Sequence, residues 1–140
     1  MTATQSQKIA AFRALHAGPA FVIANAWDAG SAKILAGMGF LALATSSGAA
    51  AGILGRRDGQ ISRDEALAQG AAIVAATDLP VSADLEKGFA DAPEAVAETY
   101  RLAAATGLAG GSIEDASGDP ARPIYDFNLA VERVAAAVEA

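Results

Sequence analysis

The chain of 140 residues is 53% apolar, carries a formal net charge of −6 at pH 7 and contains no cysteine. These values suit one domain, residues 1–140, with a sizeable core, and the acidic balance argues against a nucleic-acid partner, which needs a basic surface. The lack of cysteine excludes disulfides, thiolate metal sites and a cysteine nucleophile. A single histidine, His16, excludes a polyhistidine metal site within the chain.

The first residues show neither of the patterns that direct a chain into a membrane. Residues 1–8 mix polar and apolar side chains and lack the apolar stretch of a signal peptide. No later segment is apolar over the length that a bilayer requires. We therefore expect a cytoplasmic protein with no membrane partner.

The hydrophobic pattern predicts an opening helix followed by four strand–helix units. The predicted helices are 4–16, 28–37, 62–77, 93–105 and 126–138. The predicted strands are 20–25, 40–44, 79–84 and 108–113. Segments 45–57 and 114–125 are predicted loops, the first with room for one helical turn. Because the strands are apolar throughout rather than alternating, they indicate a parallel sheet covered by helices.

Two of the predicted strands end in a pair of acids, Asp84 with Glu86 and Glu114 with Asp115. The carboxyl ends of parallel strands are where α/β folds hold ligands. Asp84 and Glu86 share a face if the strand is extended, whereas of two adjacent acids only one faces the same centre. Converging carboxylates make an oxygen-rich site of the kind that takes Mg²⁺. The alternative is that these acids cap helices or pair with nearby basic side chains.

Three further features near the predicted strand ends are candidate site elements. The small residues 45–48 would let backbone N–H groups approach an anion, with hydroxyl donors beside them, although such runs are also ordinary loops. Trp27 either walls a pocket or packs at the rim of the sheet. Asp58 is either a turn residue or a catalytic acid.

With these segments in place, the chain resembles the isocitrate lyase/phosphoenolpyruvate mutase superfamily over residues 8–139. The motifs that carry the resemblance are Asn25-Ala-Trp-Asp28 with Ser31-Ala-Lys33, Ala44-Thr-Ser-Ser-Gly48, Leu54-Gly55 with Asp58, Asp84-Leu-Glu86-Lys-Gly88 and Ile113-Glu114-Asp115. The resemblance implies an α/β fold, a (β/α)8 TIM-type barrel. This chain would form its N-terminal half, an opening helix plus four β–α units with parallel strands.

The resemblance also implies a role for each candidate residue. The metal ligands would be Asp84, Glu86 and Glu114, holding Mg²⁺ or Mn²⁺. The catalytic residues would be Asp58 and Glu114. The substrate-binding residues would be Trp27, Ser46, Ser47 and Gly48, the last three around a substrate carboxylate. A divalent cation in this place would stabilise charge on an enolate oxygen during carbon–carbon cleavage.

The implied activity is that of a Mg²⁺-dependent carbon–carbon lyase that acts on a small 2-oxo or 2-hydroxy carboxylate through a metal-bound enolate. Segment 115–125 departs from the family, because it lacks the Lys-x-Cys-Gly-His loop of the isocitrate and methylisocitrate lyases. The lysine and asparagine of the phosphonomutase loop are missing too. An enzyme of phosphonate P–C bond chemistry is therefore only a further alternative.

The length of the chain raises a different alternative. A full barrel takes about 250 residues, and this sequence reaches only the helix after the fourth strand. A half-barrel leaves two edge strands unpaired, which favours association. We therefore expect a homo-oligomer. The chain is then either part of an enzyme or a non-catalytic half-barrel that dimerises or needs its C-terminal half.

Overall fold

The computed structural model describes residues 2–140. Its helices are α1 (Gln5–His16), α2 (Ala29–Gly37), α3 (Ser47–Ile53), α4 (Arg63–Ala76), α5 (Pro93–Ala105) and α6 (Phe127–Glu139). Its strands are β1 (Ala24–Asn25), β2 (Leu43–Ala44), β3 (Val81–Asp84), β4 (Gly110–Ser112), β5 (Ala116–Asp119) and β6 (Arg122–Ile124). Between residues 2 and 140, no helix has the length and apolar character needed to cross a bilayer.

The first four strands form one parallel sheet in the order β1-β2-β3-β4. In its register, Asn25 lies opposite Ala44, Ala44 opposite Ser82, and Ser82 opposite Gly110. Each strand is followed by a helix, so the predicted parallel α/β arrangement with an opening helix is confirmed. Because every strand runs in the same direction, all four carboxyl ends lie at one edge of the sheet.

The core consists of small aliphatic contacts between the sheet and its helices. Leu43, Ile73, Val81, Leu85 and Leu108 are among its buried members. A second small cluster lies under α3 and the start of α4. Burial of each such aliphatic side chain stabilises the fold by roughly 1.5–3 kcal/mol.

Helix α1 covers the amino end of the sheet, opposite the acids. Its buried Lys8 donates through Nζ to the carbonyl oxygen of Thr77, just before β3, at 2.7 Å. Gln5 donates to the carbonyl oxygen of Leu108, just before β4, at 3.0 Å. These bonds close one end of the half-barrel and leave the carboxyl end open.

Two segments predicted as loops contain more regular structure than expected: segment 45–57, for which one helical turn was allowed, holds a longer helix, and the prediction of a plain loop for 114–125 was wrong. Segment 45–57 holds the two-turn helix α3, whose N-cap Ser46 accepts a hydrogen bond from Ala49 N–H at 3.2 Å; the cap and the following alanines favour a helix. Segment 114–125 holds an antiparallel hairpin, β5–β6. Asp119 accepts a bond from Ala121 N–H at 2.9 Å and so stabilises its turn.

The strands are shorter than predicted at their amino ends. β1 begins at residue 24 rather than 20, and β2 at 43 rather than 40. β1 has a partner only on the β2 side, where its paired residues face 43 and 44. Residues 20–23 are therefore outside the sheet because no neighbouring strand pairs with them.

Candidate active site at the carboxyl end of the sheet

Asp84, the last residue of β3, joins the beginning of α3 to the loop after β3. Its Oδ2 accepts a hydrogen bond from Ser47 N–H at 2.9 Å, and its Oδ1 accepts one from Glu86 N–H at 3.1 Å. Its own N–H donates to Oγ1 of the buried Thr45 at 2.9 Å. Asp84 is thus fixed on both sides, with its carboxylate at the sheet edge.

Ser47 connects Asp84 to Asp58, which lies outside the sheet in the segment between α3 and α4. The Ser47 hydroxyl donates to Asp58 Oδ1 at 3.2 Å. Gly48 lies against the same carboxyl group, since a methyl group in its place would be 3.4 Å from Asp58 Cγ. The hydroxyl of Ser46 is used differently, because it caps α3. The structure therefore brings Ser47, Gly48 and Asp58 together beside Asp84.

Glu86 is the least compensated of these acids. Its backbone is left-handed, with φ of 49°. Its Oε1 is buried and has no hydrogen-bond partner among residues 2–140. Burial raises the pKa of the Glu86 carboxyl, and the negative charges of Asp84, Asp58 and Glu114 raise it further. The four acids are thus close enough to repel one another, and one buried oxygen lacks a donor.

The two residues of the second pair of acids differ in their surroundings, because Glu114 borders two recesses and Asp115 borders one of them. The backbone N–H of Glu114 donates to the Glu86 carbonyl at 2.9 Å. Glu114 and Asp84 line the same depression at the carboxyl end of the sheet. Glu114 and Asp115 both border a second recess beside α6, and the Asp115 carbonyl accepts a bond from Tyr125 N–H at 2.9 Å.

Trp27 lies at the rim, where β1 ends. Its backbone N–H donates to Ser31 Oγ at 2.9 Å, and its carbonyl accepts a bond from Gln69 Nε2 at 2.7 Å. The side chain is 58% exposed. These contacts fix the backbone and not the indole, so a role of Trp27 in the pocket stays a prediction.

The potential ligand atoms at this edge are of the kind that a hard divalent cation prefers. All are carboxylate oxygens, and the unpartnered Oε1 of Glu86 is what a cation would satisfy. Among residues 2–140, no three acidic or histidine side chains converge closely enough to hold a metal on their own. Mg²⁺ commonly takes one or two protein carboxylates and keeps several waters. The arrangement therefore suits a partly hydrated Mg²⁺ better than a cation enclosed by protein ligands.

Two residues of this region were not predicted from the sequence. Thr45 was seen only as part of a small-residue run, although its buried hydroxyl connects β2 to Asp84. Arg133 lies in the middle of α6, where the spacing of the valines gave no reason to single it out, and yet it is 1% exposed. An arginine among the apolar positions of a helix was the available signal.

The comparisons with known proteins agree with the fold that carries this site. The family model described as phosphoenolpyruvate phosphomutase matches residues 12–140. The uncharacterized protein Rv1998c of Mycobacterium tuberculosis is 36% identical over 121 residues, which are 86% of this chain and 45% of that protein. The chain thus spans about half the length of the curated relatives that it matches.

The similar solved structures are likewise about twice as long. One from Burkholderia cenocepacia J2315, provisionally described as a lyase/mutase, is 57% identical with a TM-score of 0.95, covering 96% of this chain and 49% of its own. A 2,3-dimethylmalate lyase of the PEP mutase/isocitrate lyase superfamily is 26% identical with a TM-score of 0.82, covering 99% and 49%. Phosphonopyruvate hydrolase, in complex with oxalate and Mg²⁺, shares the fold at 23% identity, with a TM-score of 0.89 and coverage of 94% and 47%.

Proposed function

The chain belongs to the phosphoenolpyruvate phosphomutase family, and we propose that it forms the metal-binding half of a Mg²⁺-dependent carbon–carbon lyase. The superfamily contains lyases and mutases. The substrate class that we propose is a small 2-oxo or 2-hydroxy carboxylate. Since the chain spans about half of its relatives, this activity is proposed for the protein of which these residues are the site-bearing half.

The observation that carries the proposal is the uncompensated carboxyl of Glu86 among Asp84, Asp58 and Glu114. A buried oxygen without a donor costs free energy, about 1–3 kcal/mol, and a cation would recover it. Asp84, Glu86 and Glu114 are the residues that would hold Mg²⁺ or Mn²⁺, in part through its bound waters, because no three acids among residues 2–140 converge as direct ligands. When bound, the cation would stabilise the negative charge that develops on a substrate oxygen as a carbon–carbon bond breaks.

The contacts of α3 support the placement of Asp58. Ser47 orients Asp58 through its hydroxyl, so that this acid has a defined position beside the proposed cation. Ser46, Ser47 and Gly48 are the proposed binding residues for a substrate carboxylate, and Ser47 would have to release Asp84 and Asp58, which its N–H and hydroxyl now bind, to donate to it. Trp27 would flank the pocket from the rim.

Titration calorimetry with Mg²⁺ and Mn²⁺ tests the metal assignment directly. We expect the wild-type chain to bind either ion and Asp84→Ala to lose binding. Asp64→Ala, at an exposed acid on α4, is the matched control and should bind as the wild type does. Unchanged Mg²⁺ and Mn²⁺ binding in Asp84→Ala would contradict the assignment of Asp84 as a metal ligand.

Turnover assays separate the reaction classes. Cleavage of oxaloacetate or methylisocitrate would support a carbon–carbon lyase. Turnover of phosphonopyruvate with no cleavage of those two substrates would replace the lyase with P–C bond chemistry.

A second candidate, a non-catalytic half-barrel that dimerises or needs its C-terminal half, is favoured by the exposed surface. The chain exposes 7881 Å², whereas a monomer of 14.0 kDa exposes about 6,700 Å². The excess of about 1,200 Å² is more than the ~800 Å² that each partner buries in a standard interface. Part of it is an apolar stripe on α6, at Phe127, Val131, Val134 and Val138. We propose that a second copy covers this surface.

A further inference from the structure

The loop that carries Glu86 has an unfavourable backbone. Glu86 and Phe89 are left-handed, with φ of 49° and 57°, and Gly88 between them has φ of 77°. Residues other than glycine adopt this conformation at a cost in free energy, and they keep it only where the surroundings enforce it. Some part of the structure must therefore hold the loop in place.

The contacts that hold it are made by the loop's carbonyl groups, and one side chain binds three of them. Nη1 of Arg133 donates to the carbonyl oxygens of Ala90 and Asp91, each at 2.6 Å, and its Nη2 donates to that of Lys87. Thr99 binds a fourth carbonyl, that of Gly88, at 2.8 Å. Arginine is the only side chain with a planar fork of donors that can serve several acceptors at once.

Arg133 has no other evident task. It is 1% exposed, and no carboxylate of residues 2–140 lies within ion-pair distance of its guanidinium group. Its guanidinium group also lies over the ring of Tyr125, whose centroid is 4.0 Å from Cζ. A buried charge is costly unless it is compensated, and here the loop carbonyls and the aromatic ring supply the compensation.

We propose that Arg133 is a positioning residue that holds the loop after β3 in the left-handed conformation in which Glu86 points toward the other acids. The inference deepens the proposed function and rests on it for the meaning of the site. Without these three bonds, residues 87–91 would relax to more favourable backbone angles. The Glu86 carboxyl would then leave the buried position that makes it available to a cation.

Amide hydrogen exchange on the metal-free chain tests the positioning role independently of metal binding. The N–H groups of Glu86 and Gly88 are both hydrogen-bonded, to Asp84 and to Leu85. We expect their exchange to accelerate at least tenfold in Arg133→Met and less in Arg133→Lys, which keeps the charge but loses the fork. Exchange at Leu43, bonded within the sheet, should not change.

Arg101→Met provides the matched control, because Arg101 is exposed on α5 and pairs only with Glu98 in the described residues. It should leave exchange in the loop unchanged. Loop protection equal to that of the wild type in Arg133→Met would overturn the proposal. Acceleration of equal size at Leu43 in both Arg133 variants would also overturn it, because that result shows general destabilisation.

A Mn²⁺ titration of the same variants connects the loop to the metal site. Loss of supporting interactions around a metal site typically weakens affinity about 10- to 100-fold. We expect a loss of that size in Arg133→Met, a smaller loss in Arg133→Lys and no change in Arg101→Met. If the wild type fails to bind Mn²⁺, the proposed function fails while the exchange result still decides the positioning role. Unaltered Mn²⁺ affinity in a variant with a loosened loop would overturn the link between Arg133 and the site.

Discussion

Glu86 combines an unfavourable backbone with an unfavourable side-chain environment. Its φ is 49° and its buried Oε1 has no donor within residues 2–140. Natural proteins concentrate such costs at functional sites. The neighbouring Asp84, in contrast, is satisfied by two backbone N–H groups. The two acids of one motif therefore differ physically, one as a fixed anchor and the other as the group that lacks a partner.

The thermal stability of Glu86→Gln at two pH values tests whether the charge of Glu86 is unfavourable in the folded chain. Burial, followed by the charges of Asp84, Asp58 and Glu114, raises the Glu86 pKa above its ordinary value of 4.5. A group whose pKa is raised on folding contributes stability at low pH that is lost as pH rises through the folded pKa. We expect Glu86→Gln to raise the thermal midpoint at pH 7.5 and to leave it nearly unchanged at pH 4.

The same variant should lose the stabilisation that Mg²⁺ gives to the wild type at pH 7.5. Glu132→Gln, at an exposed position of α6, is the control and should follow the wild-type pH profile. A lower midpoint for Glu86→Gln than for the wild type at pH 7.5 would contradict the account of repulsion.

Single residues of the site differed in how well the sequence revealed them. Asp84, Glu86 and Glu114 were found because acids at the ends of apolar strands have no structural need to be there. Thr45 and Arg133 were not found, because their importance lies in bonds to residues 39 and 42 to 46 positions away. Local patterns carry no record of such partners.

At the scale of elements, the loop between β3 and α5 depends on a glycine for two reasons. Gly88 has φ of 77°, and a methyl group there would lie 3.1 Å from Cγ1 of the buried Val96. Gly59 offers a matched comparison, since its φ is 75° and no atom lies within 4 Å of such a methyl group. The two glycines separate the backbone requirement from the steric one.

We expect Gly59→Ala to lower the free energy of unfolding by about 1 kcal/mol, the cost of a left-handed alanine. Gly88→Ala should cost about 1–3 kcal/mol more, because its methyl group overpacks the contact with α5. Urea titrations measure both values. Adding Val96→Ala to Gly88→Ala should recover part of the additional loss of stability at Gly88. Equal losses of unfolding free energy in Gly59→Ala and Gly88→Ala would contradict the steric contribution.

Elements were predictable where their signals are local. Helices α1, α2 and α4 begin within one residue of the predicted positions, and their N-caps Thr4, Asp28 and Ser62 all form capping boxes. Helix α3 was missed because its glycines and serines also suit a loop. The hairpin was missed because its short strands lack the alternating apolar pattern that identifies a strand.

At the scale of the whole molecule, the two open edges of the sheet are complementary. β1 and β4 are both edge strands of a parallel sheet. A twofold axis along the centre of a barrel, with the strands tilted by about 36° to it, would place β4 of each copy beside β1 of the other. A barrel of eight strands has an interior just wide enough for side chains to fill. The residues 20–23 that have no partner in one chain would then gain one.

Closure into a barrel also determines how β4 of one copy is aligned with β1 of the other. An eight-stranded barrel of this type has a shear of about 8 residues. The pairing at each of the two β4–β1 junctions is therefore shifted by about 4 residues along the strand. Within one chain, Gly110 is level with Asn25 through β3 and β2. A shift of four in one direction places Gly110 opposite Ala29, where α2 begins and no strand can pair. The other direction places it opposite Phe21 of the second copy, and Ser112 opposite Ile23.

Because the chain has no cysteine, this register can be tested by cross-linking. We expect chains carrying Ser112→Cys, mixed with chains carrying Ile23→Cys, to form a disulfide-linked dimer on oxidation, since paired neighbouring strands lie within the reach of a disulfide. Ala20→Cys in place of Ile23→Cys is the control and should not react. Sedimentation of the wild type should reach a limit at the dimer as concentration rises. Cross-linking of Ser112→Cys alone would indicate β4–β4 pairing, and growth beyond dimers would indicate open association; either result contradicts a closed barrel.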